Sequence, residues 1–218
     1  MNIYVVVEGR GDKKVYEEWV PLVNPSLSYV ENAADISNSN FTVVSAHGYP
    51  FYFGTIEAAI EDVNSHGNID RLVLGVDSED MSFAEKMAEM EGFISERPCS
   101  ASVYVVIQHF CLETWALGNR RVFPRSPHSQ LLLEYRRVFN VLADDPELLP
   151  PYPKHGLNRA EFAEKYLRTI LCERNTNLGY VKGNPKALLK PTYFQQVKKR
   201  LEETQHIASF ATFLNAFN

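Results

Sequence analysis

Acidic residues follow three of the most apolar stretches of this 218-residue chain. Glu8 comes directly after Ile3–Val7 (IYVVV). Asp77, Glu79 and Asp80 come after Arg71–Val76 (RLVLGV), and Glu113 comes shortly after Ala101–Ile107 (ASVYVVI). Runs this rich in β-branched residues suit strands covered on both faces. The carboxyl ends of parallel strands are where open α/β sheets keep their ligands. Carboxylates gathered at one sheet edge raise one another's pKa values unless a cation sits among them. A hard ion such as Mg²⁺ or Mn²⁺, held by a few carboxylates and otherwise by water or phosphate oxygens, relieves that repulsion. Such an ion can activate a water and steady the charge that builds on a phosphodiester. Arg10, Lys13 and Lys14 stand beside Glu8, where a phosphate could meet them; on a helix surface such residues are ordinarily just solvated. Each acidic motif alone is also what a surface loop or a helix N-terminus carries. The ordered pair, with a βα unit between, points to a site.

The elements that must position these acids alternate along the first half of the chain. Gly9 and Gly11 permit a tight turn, and Asp12 can cap a following helix whose Val15, Trp19 and Val20 share one face. Residues 26–40 read as polar loop with room for a short strand around Leu27–Val30. Phe41–Ser45 is the second strand. Thr55 is expected to cap a helix carrying Ile56, Ala59, Ile60 and Val63, and Ser82–Ile94 is the next helix. The β-α-β-α-β-α-β order predicts an α/β fold, Rossmann-like, with a mostly parallel four-stranded sheet and flanking helices over residues 1–120. Residues 121–218 show no strong strand and are expected to form a basic helical extension packed on it. Helices are predicted over Leu112–Asn119, Gln130–Leu142, Arg159–Arg174, Tyr193–Gln205 and His206–Phe217.

Charge is divided unevenly. Residues 1–100 hold 6 Lys/Arg against 17 Asp/Glu, a balance of −11, and residues 101–218 hold 16 against 10, a balance of +6. That division suits an acidic metal centre flanked by a surface for a polyanion, and it equally suits two halves that attract each other. Arg120, Arg121, Arg125, Arg136, Arg137 and Lys198–Arg200 form the basic clusters, available for phosphate contacts. The three cysteines have no metal-like spacing, and the six histidines form no zinc pattern with them. A reduced, cytoplasmic setting without a membrane span is expected. P-loop, dinucleotide-binding and nucleophile-elbow motifs are all missing.

The strand-Glu8-Gly9 start with Asp12 opening a helix, and the strand ending in Asp77-Ser78-Glu79, resemble the Toprim domain, the metal-binding fold of topoisomerases, bacterial primases and OLD-family nucleases. Glu113-Thr114-Trp115-Ala116-Leu117 is similar to an element of the RloB-like branch of bacterial defence proteins. The matches cover about the first 120 residues, with looser likeness at Tyr180-Val181-Lys182 and His206–Phe210. The resemblance implies that Asp77, with Glu79 or Asp80, holds the metal. Glu8 would be a second ligand or the general acid/base, Glu113 would complete the site, and Lys182 would steady developing negative charge. Glu79 departs from the family's Asp-x-Asp pair by one methylene.

The expected activity is therefore Mg²⁺- or Mn²⁺-dependent hydrolysis of DNA or RNA, as the effector of a bacterial anti-phage system. By the resemblance, an ATPase partner would be supplied by another chain, and a homo-oligomer is compatible. The rival expectation is a Toprim relative that has lost catalysis and serves as a binding or assembly subunit of such a complex.

Overall fold

A computed structural model describes residues 1–175 and 179–218. Five parallel strands form one sheet: β1 (Ile3–Val7), β2 (Ser28–Tyr29), β3 (Asn40–Ser45), β4 (Arg71–Asp77) and β5 (Ser102–Gln108), in the order β2-β3-β1-β4-β5. Four of these answer the four strands predicted. The fifth, the two-residue β2 at the sheet's edge, falls within Leu27–Val30, where the sequence left room for a short strand, and pairs Ser28 with Asn40 and Tyr29 with Phe41. Both of its residues are exposed, so no buried alternation sets it apart from loop.

The described residues also form eight α-helices: α1 (Arg10–Val23), α2 (Tyr52–His66), α3 (Phe83–Ser95), α4 (Leu112–Leu117), α5 (Gln130–Val138), α6 (Arg159–Arg174), α7 (Pro191–Thr204) and α8 (Phe210–Phe217). None is long and apolar enough to cross a membrane. Helix α2 begins three residues before Thr55, the expected cap, because the turn through Gly48 and Pro50 delivers the chain into helical conformation at Tyr52. Helix α1 likewise starts earlier than its apolar face suggests. Gly9 is its N-cap, and the Asp12 carboxylate accepts from the Gly9 N–H at 2.8 Å. The last helix starts at Phe210, four residues after His206.

Two compact units are distinguished: Met1–Val76 with Ser82–Ile107 and Thr212–Asn218, and Asp77–Met81 with Gln108–Ala211. In the first, alternate strand residues face opposite ways. Tyr4, Val6, Leu72, Leu74 and Val76 join Ile56, Ile60, Val63 and Met90 in one apolar cluster beneath α2 and α3. Val7 and Gly75, partners in the β1–β4 register, lie under Tyr16 of α1 on the other face. Phe213 and Phe217 pack edge-on against Tyr16. The C-terminal residues are fastened there, with Asn24 donating to Phe217 O at 3.0 Å and Arg71 donating to Ala216 O at 2.8 Å.

In the second unit Phe162 stacks on Tyr152 and Tyr166, and Tyr135 meets all three rings edge-on. Trp115, fully buried, donates from its indole N–H to Ser209 Oγ at 2.7 Å, and Ser209 in turn donates to the Glu147 carboxylate. Burial pushes the Glu147 pKa up to about 7, although the Ser209 hydrogen bonds favour its charged form.

Candidate metal centre

The strand order puts a topological switch point between β1 and β4. From β1 the chain leaves through α1 toward β3, and from β4 it leaves through α3 toward β5 on the opposite side. Doubly wound sheets bind ligands outside the carboxyl ends of the strands at such a point. Glu8 is the residue after β1, and Asp77 is the last residue of β4. The two strands are adjacent and parallel, with Val7 opposite Gly75, so the sheet itself carries both acids to one edge.

One carboxylate oxygen from each of Glu8, Asp77 and Glu79 lies within 4.8 Å of the others. Oxygens sharing one octahedral Mg²⁺ at about 2.0–2.1 Å stand about 2.9 Å apart when adjacent and about 4.2 Å when opposite, so the three would have to draw closer together to share one ion. The three side chains are all hard oxygen donors, which fits Mg²⁺ or Mn²⁺ rather than a soft metal.

Each acid is held by its own surroundings. Glu8, 9% exposed, accepts from the Tyr49 N–H at 3.2 Å through Oε1, and its carbonyl accepts from Gly48. Glu79 has a positive φ of 52°, and its N–H donates to Phe110 O at 2.9 Å. Between Asp77 and Glu79, the buried Ser78 hydroxyl accepts from Phe110 N and meets His109 Nδ1 at 2.9 Å. Burial, followed by Arg159, holds the His109 pKa below its ordinary value, which favours the neutral imidazole.

The other expected site residues have distinct settings. Asp80 is exposed and faces Arg159, accepting from its backbone N–H at 3.4 Å and pairing with its guanidinium at 3.9 Å. Glu113, 1% exposed in the first turn of α4, accepts from the Tyr180 hydroxyl at 2.6 Å through Oε1. Among the described residues no donor reaches its buried Oε2. Lys182 is exposed in a turn, close enough to act on the Cys111 thiol. That thiol is pushed well above its ordinary pKa by burial, with Glu113 and Asp77 adding to the rise, so it is an inert S–H.

Arg10 is exposed, Lys13 pairs with Glu17 at 3.7 Å, and Lys14 is partly buried. Arg120 pairs with Glu203 at 2.7 Å. One expected surface cation is not on the surface. Arg200 is 1% exposed and donates to the carbonyls of Val141, Leu142 and Asp144, because its position on α7 faces inward with Tyr193 and Val197.

Sequence reasoning passed over Lys86, which is 2% exposed. Its ammonium pairs with Glu89 at 2.7 Å, reaches the Tyr52 hydroxyl at 3.2 Å and lies 4.9 Å from the Tyr49 ring centroid. Tyr49 is the residue whose N–H meets Glu8. The signal was available: Lys86 sits three residues after Phe83 and four before Met90, on the apolar face of its helix.

The fold and the acids define a doubly wound α/β protein with carboxylates at its switch point. No family model, no curated protein and no solved structure matches the chain.

Proposed function

We propose that this chain is a Toprim-like phosphodiesterase that uses Mg²⁺ or Mn²⁺ to hydrolyse nucleic acid, serving as the effector of a bacterial anti-phage system. The observation that carries this reading is the convergence of Glu8, Asp77 and Glu79 at the ends of adjacent strands. The buried Glu113, one of whose oxygens meets no donor among the described residues, supports it further, since a buried carboxylate oxygen is costly unless hydrogen-bonded or bound to a cation. Asp77 and Glu79 would hold the metal, with Glu8 as a ligand or as the acid/base, and Asp80 at the rim beside Arg159. When bound, the ion would neutralise charge on the scissile phosphate and favour ionisation of water. The backbone of Tyr49 orients the Glu8 carboxylate, and Lys182 would meet negative charge developing nearby. An ATPase partner and the RloB-like and OLD-like kinship belong to the same proposal and rest on the sequence motifs.

Incubation of the full chain with single- and double-stranded DNA and with RNA, in Mn²⁺, Mg²⁺ and EDTA, tests it. Cleavage that needs the ion and is lost in Glu8→Ala and Asp77→Ala is the expected result. Absence of cleavage with every substrate and ion overturns it in favour of a non-catalytic assembly subunit.

A further inference from the structure

The second unit contains a cavity of about 390 Å³, within the size range of small-molecule sites. Its lining includes three cations, Arg121, Arg174 and Lys190, and no Asp or Glu. All three are exposed, and among the described residues none has an ion-pair partner. Several neighbouring cations are matched to acids. Arg120 pairs with Glu203, Lys198 with Glu202 and Lys199 with Glu203. Nearby Glu173 is engaged by the N–H groups of His128 and Ser129.

Two further features favour an anion. Helix α7 is 14 residues long and starts at the cavity, where Thr192 is part of the lining, and its first turn has no acidic residue. The positive end of its dipole is therefore not offset locally. Asn119 is 4% exposed and lines the same cavity. Its side-chain oxygen accepts from Arg121 N at 3.1 Å, and among the described residues nothing accepts from its amide N–H₂. An amide donor at the lining, beside three cations without ion-pair partners, suits an oxyanion.

We propose that this cavity binds a nucleoside phosphate, with the phosphate held by Arg121, Arg174, Lys190 and Asn119. The volume exceeds what a single inorganic anion fills, and the apolar lining from Leu171 and Tyr193 suits a base or sugar. Tyr193 is fixed by donating to Ala116 O at 2.9 Å. A polymer strand fits less well. Along α7 the lysines that follow are paired and Arg200 is buried, so no row of free cations leads away from the cavity on that helix. The proposal does not depend on the acidic cluster.

Calorimetric titration of the full chain in EDTA with AMP, GMP, CMP and UMP, with adenosine, and with inorganic phosphate tests it. At least one nucleotide should bind saturably, adenosine should not bind, and inorganic phosphate should bind at least tenfold more weakly. Arg174→Gln and Lys190→Gln should each weaken the nucleotide about tenfold. Thr192→Glu places an acid in the first turn of α7, where it favours the helix; it should abolish binding without lowering the melting temperature. Nucleotide affinity unchanged in Arg174→Gln/Lys190→Gln overturns the proposal. So does phosphate binding as tightly as the nucleotides, or binding seen only with a single-stranded oligonucleotide.

Discussion

Glu79 and Phe110 both hold the left-handed backbone conformation, with φ of 52° and 60°, and a 2.9 Å hydrogen bond from the Glu79 N–H to the Phe110 carbonyl joins them. Neither is a residue type that adopts this conformation readily. Backbone strain of this kind collects where a side chain must be aimed, and here the side chain that is aimed is a member of the acidic cluster.

Two substitutions at that position separate strain from charge. Glu79→Gly relieves the left-handed backbone and Glu79→Ala does not, so urea unfolding should find the glycine variant more stable than the alanine variant by roughly 1 kcal/mol. Both should lose the same stabilisation by Mn²⁺. Equal stability of the two would show that the positive φ costs nothing.

Metal binding has a readout that does not require turnover. An ion that binds only the folded chain should stabilise it by about 2.7 kcal/mol at a hundred times its dissociation constant. Thermal unfolding with and without Mn²⁺ should show that increment in the wild type. It should be strongly reduced in Glu8→Ala and Asp77→Ala. Glu113→Gln keeps an acceptor for the Tyr180 hydroxyl, so a loss there would report the missing charge.

Glu147 should make stability depend on pH. Its folded-state pKa is raised to about 7 from 4.5, mainly by burial. Between those values the folded chain keeps a proton that the unfolded chain has released. The contribution is therefore fully present below about pH 4.5 and is lost as pH rises through about 7, by about 3 kcal/mol. Glu147→Gln, which still offers Ser209 an acceptor, should flatten this slope in urea titrations at several pH values. It should exceed the wild type in stability at pH 8.

Gly75 is required by what lies over it. A Cβ there would stand 2.6 Å from Tyr16 Oη and 3.1 Å from Val7 Cγ1. Gly75→Ala should cost roughly 1–3 kcal/mol by overpacking. Added to a Tyr16→Phe background, which lacks the hydroxyl, the same change should cost less, a non-additivity that equilibrium unfolding of the four proteins measures.

Strand ends were legible because two signals coincide there: apolar β-branched runs and the acids that terminate them. Ile3–Val7 with Glu8, and Arg71–Val76 with Asp77, could be read without coordinates. The switch point could not, since strand order depends on which neighbours pair across the sheet. Lys86 and Arg200 were misplaced or passed over for a common reason. A long cationic side chain counts as surface in a linear pattern, yet each is buried against its own acceptors, Glu89 and Tyr52 for one and three backbone carbonyls for the other. The Glu147–Ser209 link spans 62 positions, a separation at which local periodicity carries no information.

The fastening of Phe217 to Asn24 and of Ala216 to Arg71 has a consequence for biosynthesis. Translation delivers Tyr16 and Trp19 early, and the rings that cover them, Phe213 and Phe217, come about 200 residues later. Until then the nascent chain presents an aromatic face with no lid, a window in which chaperone holding or premature self-association competes with completion of the fold.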